Sequence, residues 1–84
     1  MSGDDTVRAI VASHARLGGR EDSLADDDDL YALGMTSHAT VDVLMALEDH
    51  FGTEFPAEML TRATFRSVAA IRSALERLGV DTRS

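Results

Sequence analysis

Apolar residues in this chain recur every three or four positions, a period that favours helices and argues against strands. Val7, Ile10, Val11, His14 and Leu17 fall on one stripe, Val43, Leu44, Leu47 and Phe51 on a second, and Phe65, Val68, Ile71, Leu75 and Leu78 on a third. Strand-like alternation is absent throughout. The expected fold class is therefore all-α: a small four-helix bundle of three longer helices and one short one. Punctuation marks the boundaries. Asp4 and Asp5 suit the positive end of helix 1, and Gly18-Gly19 closes it. Helix 2 is expected from Ser37 to a stop at Gly52. Pro56 can open the short helix, because a first helical position needs no backbone donor, with Met59 and Leu60 facing inward. Thr64 is expected to cap the last helix and Gly79 to end it. Between helices 1 and 2 runs a long connection, Arg20 to Thr36, in which Leu30, Tyr31 and Leu33 should tuck into the core. Loops of that length in a small domain are uncommon and often functional.

Size and charge narrow the function. A chain of 84 residues makes one domain and one core, with little to spare for an enclosed active site. A binding or carrying module fits better than an enzyme working alone. The formal net charge is −7, with no lysine. Residues up to Glu58 hold thirteen acids and three arginines, a charge of −10, while the remaining two acids and five arginines give +3. Such a field disfavours nucleic acid and anionic membrane and favours partners with basic docking patches; alternatively it serves only solubility. A helix-turn-helix reading of Gly34 to Phe51 fails on the same ground, since its candidate recognition helix carries Asp42, Glu48 and Asp49 and no arginine. No cysteine is present for a disulfide or a zinc thiolate. With no apolar run of membrane-spanning length and no secretory leader, a cytoplasmic monomer is the expectation.

Metal and nucleophile motifs do not assemble. Asp26-Asp27-Asp28-Asp29 places Leu30 or Tyr31 where a calcium loop needs its third acid, so a solvated acidic loop is expected. His14, His38 and His50 include no pair at the spacing of a helical zinc site, and His14 reads as a histidine at the core's edge. Ser37 and His38 are helix neighbours about 100° apart, poorly aimed for proton transfer.

The segment Leu33-Gly34-Met35-Thr36-Ser37 brings a hydroxyl to a helix start. Ser37 can be a simple N-cap or the attachment point of a phosphate that benefits from unpaired amides and the helix dipole. Val41, Met45 and Glu48 follow it at offsets of four, eight and eleven, on its own face, while the core stripe is rotated away. Fringed by Asp42, Glu48 and Asp49, they form either a docking strip or one side of a helix buried over a wide arc.

From Asp28 to Ser37, through Leu44-Met45-Ala46-Leu47-Glu48-Asp49-His50-Phe51, to Glu54-Phe55-Pro56 and Thr64-Phe65, the chain resembles the acyl carrier protein family over nearly its whole length. The resemblance implies that Ser37 receives phosphopantetheine from coenzyme A through a phosphopantetheinyl transferase. The arm's thiol then holds an acyl or aminoacyl group as a thioester, and the protein is a substrate of its partners, with no catalytic residue of its own. It also implies that Val41, Asp42, Met45, Glu48 and Asp49 meet those partners. Thr36 and His38, which replace the family's usual Asp and Leu around the serine, belong with them. That departure points away from ordinary fatty acid synthesis and toward a specialised carrier. One such class is loaded with amino acids by ligases similar to truncated seryl-tRNA synthetases, and carriers of secondary metabolism are another; downstream acyl-transfer enzymes would follow. The competing reading is an unmodified acidic adaptor that binds basic proteins through the same helix face.

Overall fold

Three α-helices and one turn of 3-10 helix are present in the computed structural model, which describes residues 4–19 and 23–80. Helix α1 spans Asp4–His14, α2 spans Ser37–Phe51, the 3-10 turn spans Ala57–Met59, and α3 spans Val68–Arg77. No strand occurs among the described residues. The expected all-helical class holds, but the short helix contracts to a single turn. Pro56, expected as the first helical residue, instead stands just outside as the extended N-cap with ψ 157°; Leu60 leaves helical geometry with ψ 64°, and only Met59 of the expected pair packs against the core. Leu60 stands 49% exposed, against the expectation that it would be buried.

Helix α1 packs on both α2 and α3. Its stripe delivers Val7 and Val11 into the core, where they meet Val43 and Leu47 of α2 and Val68, Ile71 and Leu75 of α3, all buried completely. Each such side chain contributes about 1.5–3 kcal/mol of hydrophobic burial before conformational entropy is counted. The end of α1 differs from expectation. Helical hydrogen bonding stops at Ala15, whose amide donates to the Val11 carbonyl at 2.8 Å. Arg16 then adopts a left-handed backbone with φ 59°. Leu17 is buried, though as a residue past the helix and not on its stripe, and the two glycines fall in the turn that follows. The side chains of Asp4 and Asp5, and residues 20–22 at the start of the long connection, lie outside the described residues.

The last helix also begins later than its apolar spacing implies. Ser67 is the N-cap, its hydroxyl accepting from the Ala70 amide at 3.0 Å. Thr64 is buried in the preceding turn, where its hydroxyl meets that of Thr61 at 3.0 Å, and Phe65 packs on Phe55 with ring centroids 5.4 Å apart. Phe65, the first residue of the stripe, is thus placed by a turn that returns the chain to the core.

The long connection is pinned and not loosely solvated. Leu30 donates its amide to the Arg66 carbonyl at 2.7 Å, and the Asp26 carbonyl accepts from Ala69 at 3.0 Å, so the loop lies along the start of α3. Three of the four consecutive aspartates serve this path. Asp26 pairs with Arg8 of α1 and, at 3.1 Å, with Arg72 of α3. Asp28 accepts from the Ala25 amide at 2.9 Å, and Asp29 accepts from the Tyr31 amide at 3.0 Å in an Asx-type turn. Asp27 is exposed. The acid run is mostly a set of backbone and inter-helix ties. Among the described residues no group of three or more acids and histidines could hold a metal ion.

Candidate functional site

The chain enters α2 through a tight approach. Leu30 is buried and its carbonyl accepts from Met35 at 2.9 Å, which seats Met35 in the core. Gly34 between them sits at φ 113°, a region closed to most L side chains, so a glycine is needed there. The cap of α2 is Thr36 and not Ser37: its extended backbone and a hydroxyl that accepts from the Ala39 amide at 3.1 Å close the helix start. Ser37 is therefore the first helical residue, exposed, and relieved of the capping duty that competed with a chemical role. Among the described residues no side chain hydrogen-bonds its hydroxyl, and the neighbouring His38 is exposed. Helix geometry leaves the amides of the first residues without intrahelical partners, and Thr36 occupies only that of Ala39. An anion carried on Ser37 finds unpaired donors and the positive helix end at hand.

Along the same face Val41 is 48% and Met45 61% exposed. The buried residues of α2 are Ala39, Val43 and Leu47, with Leu44 and Phe51 partly covered. The wide-arc alternative is thereby excluded, and an apolar strip runs outward from the serine. The acids that fringe it are not equivalent. Asp49 is exposed, and among the described residues no hydrogen bond or ion pair engages it. Asp42 faces Arg16 at 3.3 Å, and one carboxylate oxygen of Glu48 accepts from the Phe55 amide at 2.9 Å, tying the chain beyond α2 back onto the helix. Of the candidate residues, Thr36, Ser37, His38, Val41, Met45 and Asp49 are exposed, while Asp42 and Glu48 are half-buried and also make contacts within the fold.

A feature that sequence reasoning missed lies beside Ser37 and shares Val41 with the strip. A groove of about 300 Å³ opens there, with walls that include Val41, Leu44, Leu60, Tyr31 and Arg62. Its walls come from the loop, from α2 and from the turn before α3, so no single stretch of sequence carries its signal. The one local sign was Leu60, an apolar residue that a turn leaves outside. An exposed hydroxyl beside a groove suits a tethered, flexible substituent.

A model of the phosphopantetheine attachment site family matches residues 5–75. The chain belongs to this family. Phosphopantetheine is accordingly its cofactor, and an exposed serine hydroxyl with free amides and an open groove beside it fits the group. The chain is 38% identical to the aminoacyl carrier protein of Agrobacterium fabrum over 71 residues, 84% of this chain and 86% of that one. In structure it resembles the complex of an engineered Bradyrhizobium japonicum glycine:carrier protein ligase with carrier protein from Agrobacterium tumefaciens and AMP. The matching chain there shares 37% identity and a TM-score of 0.82, covering 87% of this chain and 97% of that chain. The holo acyl carrier protein of Nitrosomonas europaea is 25% identical with a TM-score of 0.75, over 93% of this chain and 96% of its own. No helix among the described residues is long and apolar enough to cross a membrane.

Proposed function

We propose that Ser37 bears the phosphopantetheine and that the protein carries an aminoacyl group, as a thioester on the arm's thiol, between a loading ligase and a downstream acyl-transfer enzyme. The observation that carries this reading is the exposed hydroxyl of Ser37 at the first position of α2, uncapped and continuous with the Val41 and Met45 strip. The aminoacyl cargo is supported by likeness to the Agrobacterium aminoacyl carrier protein, and a ligase partner by likeness to the ligase-bound carrier. Thr36 adds a local reason for the family's usual acid to be dispensable here. Its hydroxyl caps the helix while leaving the approach to Ser37 less negative than an aspartate does.

The chemistry asks little of the protein itself. A phosphopantetheinyl transferase must supply the base that takes the Ser37 proton as the oxygen displaces the nucleotide half of coenzyme A at phosphorus. The chain's own contribution is to hold that oxygen outward on a rigid helix start, and to present an apolar strip with acids at its edge to basic partner surfaces. The domain is read as a substrate of several enzymes, with residues 5–75 as one carrier unit.

Intact-mass measurement tests the site. Incubation of the apo-protein with coenzyme A and a broad-specificity transferase should add one phosphopantetheine, and Ser37→Ala should abolish the addition without changing the helical circular dichroism. A mass gain that survives the substitution overturns the assignment. Protein with no gain under any transferase, but with partner binding lost on Met45→Asp, would instead identify the unmodified adaptor.

A further inference from the structure

Most arginines in the described part of the molecule are committed to carboxylates: Arg8 and Arg72 to Asp26, Arg16 to Asp42, and Arg66 to Asp29 at 3.5 Å. Arg62 differs. Its guanidinium lies over the ring of Tyr31, 4.1 Å from the centroid, and among the described residues no carboxylate pairs with it. It lines the same groove as Ser37.

The platform beneath it is fixed. Tyr31 is held by its own amide on Asp29, its carbonyl accepts from Gly34 at 3.1 Å, and its hydroxyl sits 3.2 Å from that of Thr40. Thr40 in turn donates to the Thr36 carbonyl at 2.9 Å, so a short chain of contacts links the ring to the residue before the serine. Stacking engages the face of a guanidinium, whereas its N–H donors lie in the plane and point from the edges. Arg62 is thus placed over the ring on the groove that opens beside Ser37, and among the described residues no hydrogen bond or ion pair engages its donors. In a chain of net charge −7, a new anion needs local compensation, and a planar donor fork matches two oxygens of a phosphate.

We infer that Arg62, held on Tyr31, is a positioning residue that receives the phosphodiester of the arm and lays the arm along the groove over Leu44 and Leu60. This rests on Ser37 being the attachment site, and it adds a determinant of where the arm rests between encounters. No bond forms or breaks. A guanidinium exchanges water for phosphate oxygens, and the arm gains a preferred direction toward the turn before α3. Release needs only that a partner offer the phosphate a better cation or cover Arg62.

Phosphorus and proton NMR on the loaded protein test this, with intact mass confirming one phosphopantetheine in each sample. In the wild type, the Arg62 Nε–H signal should shift between the apo and loaded forms. The arm's methyl groups should show cross-relaxation to Leu44 and Leu60. Arg62→Gln should move the phosphorus resonance toward that of a free phosphodiester and abolish the methyl contacts, with helical content unchanged. Arg62→Lys should retain part of the shift, since it keeps the charge and loses the fork. Tyr31→Phe should keep the contacts because the ring face remains. An Arg62 signal indifferent to loading, or arm contacts that persist in Arg62→Gln, would overturn the inference. Absence of the mass gain in the wild type, or its persistence in Ser37→Ala, would overturn the attachment site and not Arg62's part.

Discussion

Thr36 and Ser37 divide between them two tasks that a single hydroxyl often combines. One side chain closes the helix, and the other is left free in solvent. Thr36→Ala removes the oxygen that satisfies the Ala39 amide and should cost about 1 kcal/mol. In a domain of this size that is a loss of roughly 4–8 °C in Tm, measurable by thermal unfolding. Thr36→Ser should recover most of the loss, and Ser37→Ala should leave Tm nearly unchanged because Ser37 caps nothing. A Tm that falls more for Ser37→Ala than for Thr36→Ala would show that the capping assignment is reversed. At this scale the spacing of residues could not decide between the two hydroxyls. Both stand at a plausible helix start, and the choice depends on the backbone angles of Thr36, which Gly34 and the seating of Met35 impose.

Helix α2 carries two faces with separate consequences. Val43 and Leu47 point into the core, and Met45, between them in sequence, points out. Leu47→Ala deletes a completely buried side chain and should cost about 2–4 kcal/mol through lost transfer energy and the cavity left behind. Met45→Asp changes a 61% exposed position and should shift stability by no more than about 0.5 kcal/mol. If Met45 anchors the docked ligase, Met45→Asp should lower the kcat/KM of loading by about tenfold or more. Denaturant unfolding and a steady-state loading assay separate the two effects. Equal stability loss in both variants would contradict the two-faced helix. This division was legible from periodicity, since a 3.6-residue repeat fixes which side chains share a face. The ends of α1 and α3 were less so. A stripe continues in the sequence after the helix stops whenever a turn, such as those holding Leu17 and Phe65, returns apolar residues to the same core.

For the molecule as a whole, the charge of −7 is a property of the surface field more than of any pair. Encounter with a basic ligase surface should slow as salt rises, because the Debye length shortens from about 10 Å at 0.1 M to about 3 Å at 1 M. The loading rate at low carrier concentration is therefore expected to fall steeply with added NaCl, mainly through association. A rate insensitive to salt would mean that the acids serve only solubility. The groove beside Ser37 also belongs to this scale, since it exists only once the loop, α2 and the turn before α3 are brought together.

Composition and periodicity alone determined that this chain is helical, acidic and cysteine-free, and that a hydroxyl followed by an apolar strip begins its central helix. Those properties depend on neighbours a few residues apart, which the order of amino acids states directly. Tertiary structure decided which threonine or serine caps, how the aspartates of the loop are used, and that the short helix is one turn. It also set Arg62 on Tyr31 within a groove shared with Ser37. Each of these depends on groups from separate segments meeting in space. Local spacing carries no record of that meeting, because the packing of the three helices, and not their individual propensities, sets those distances.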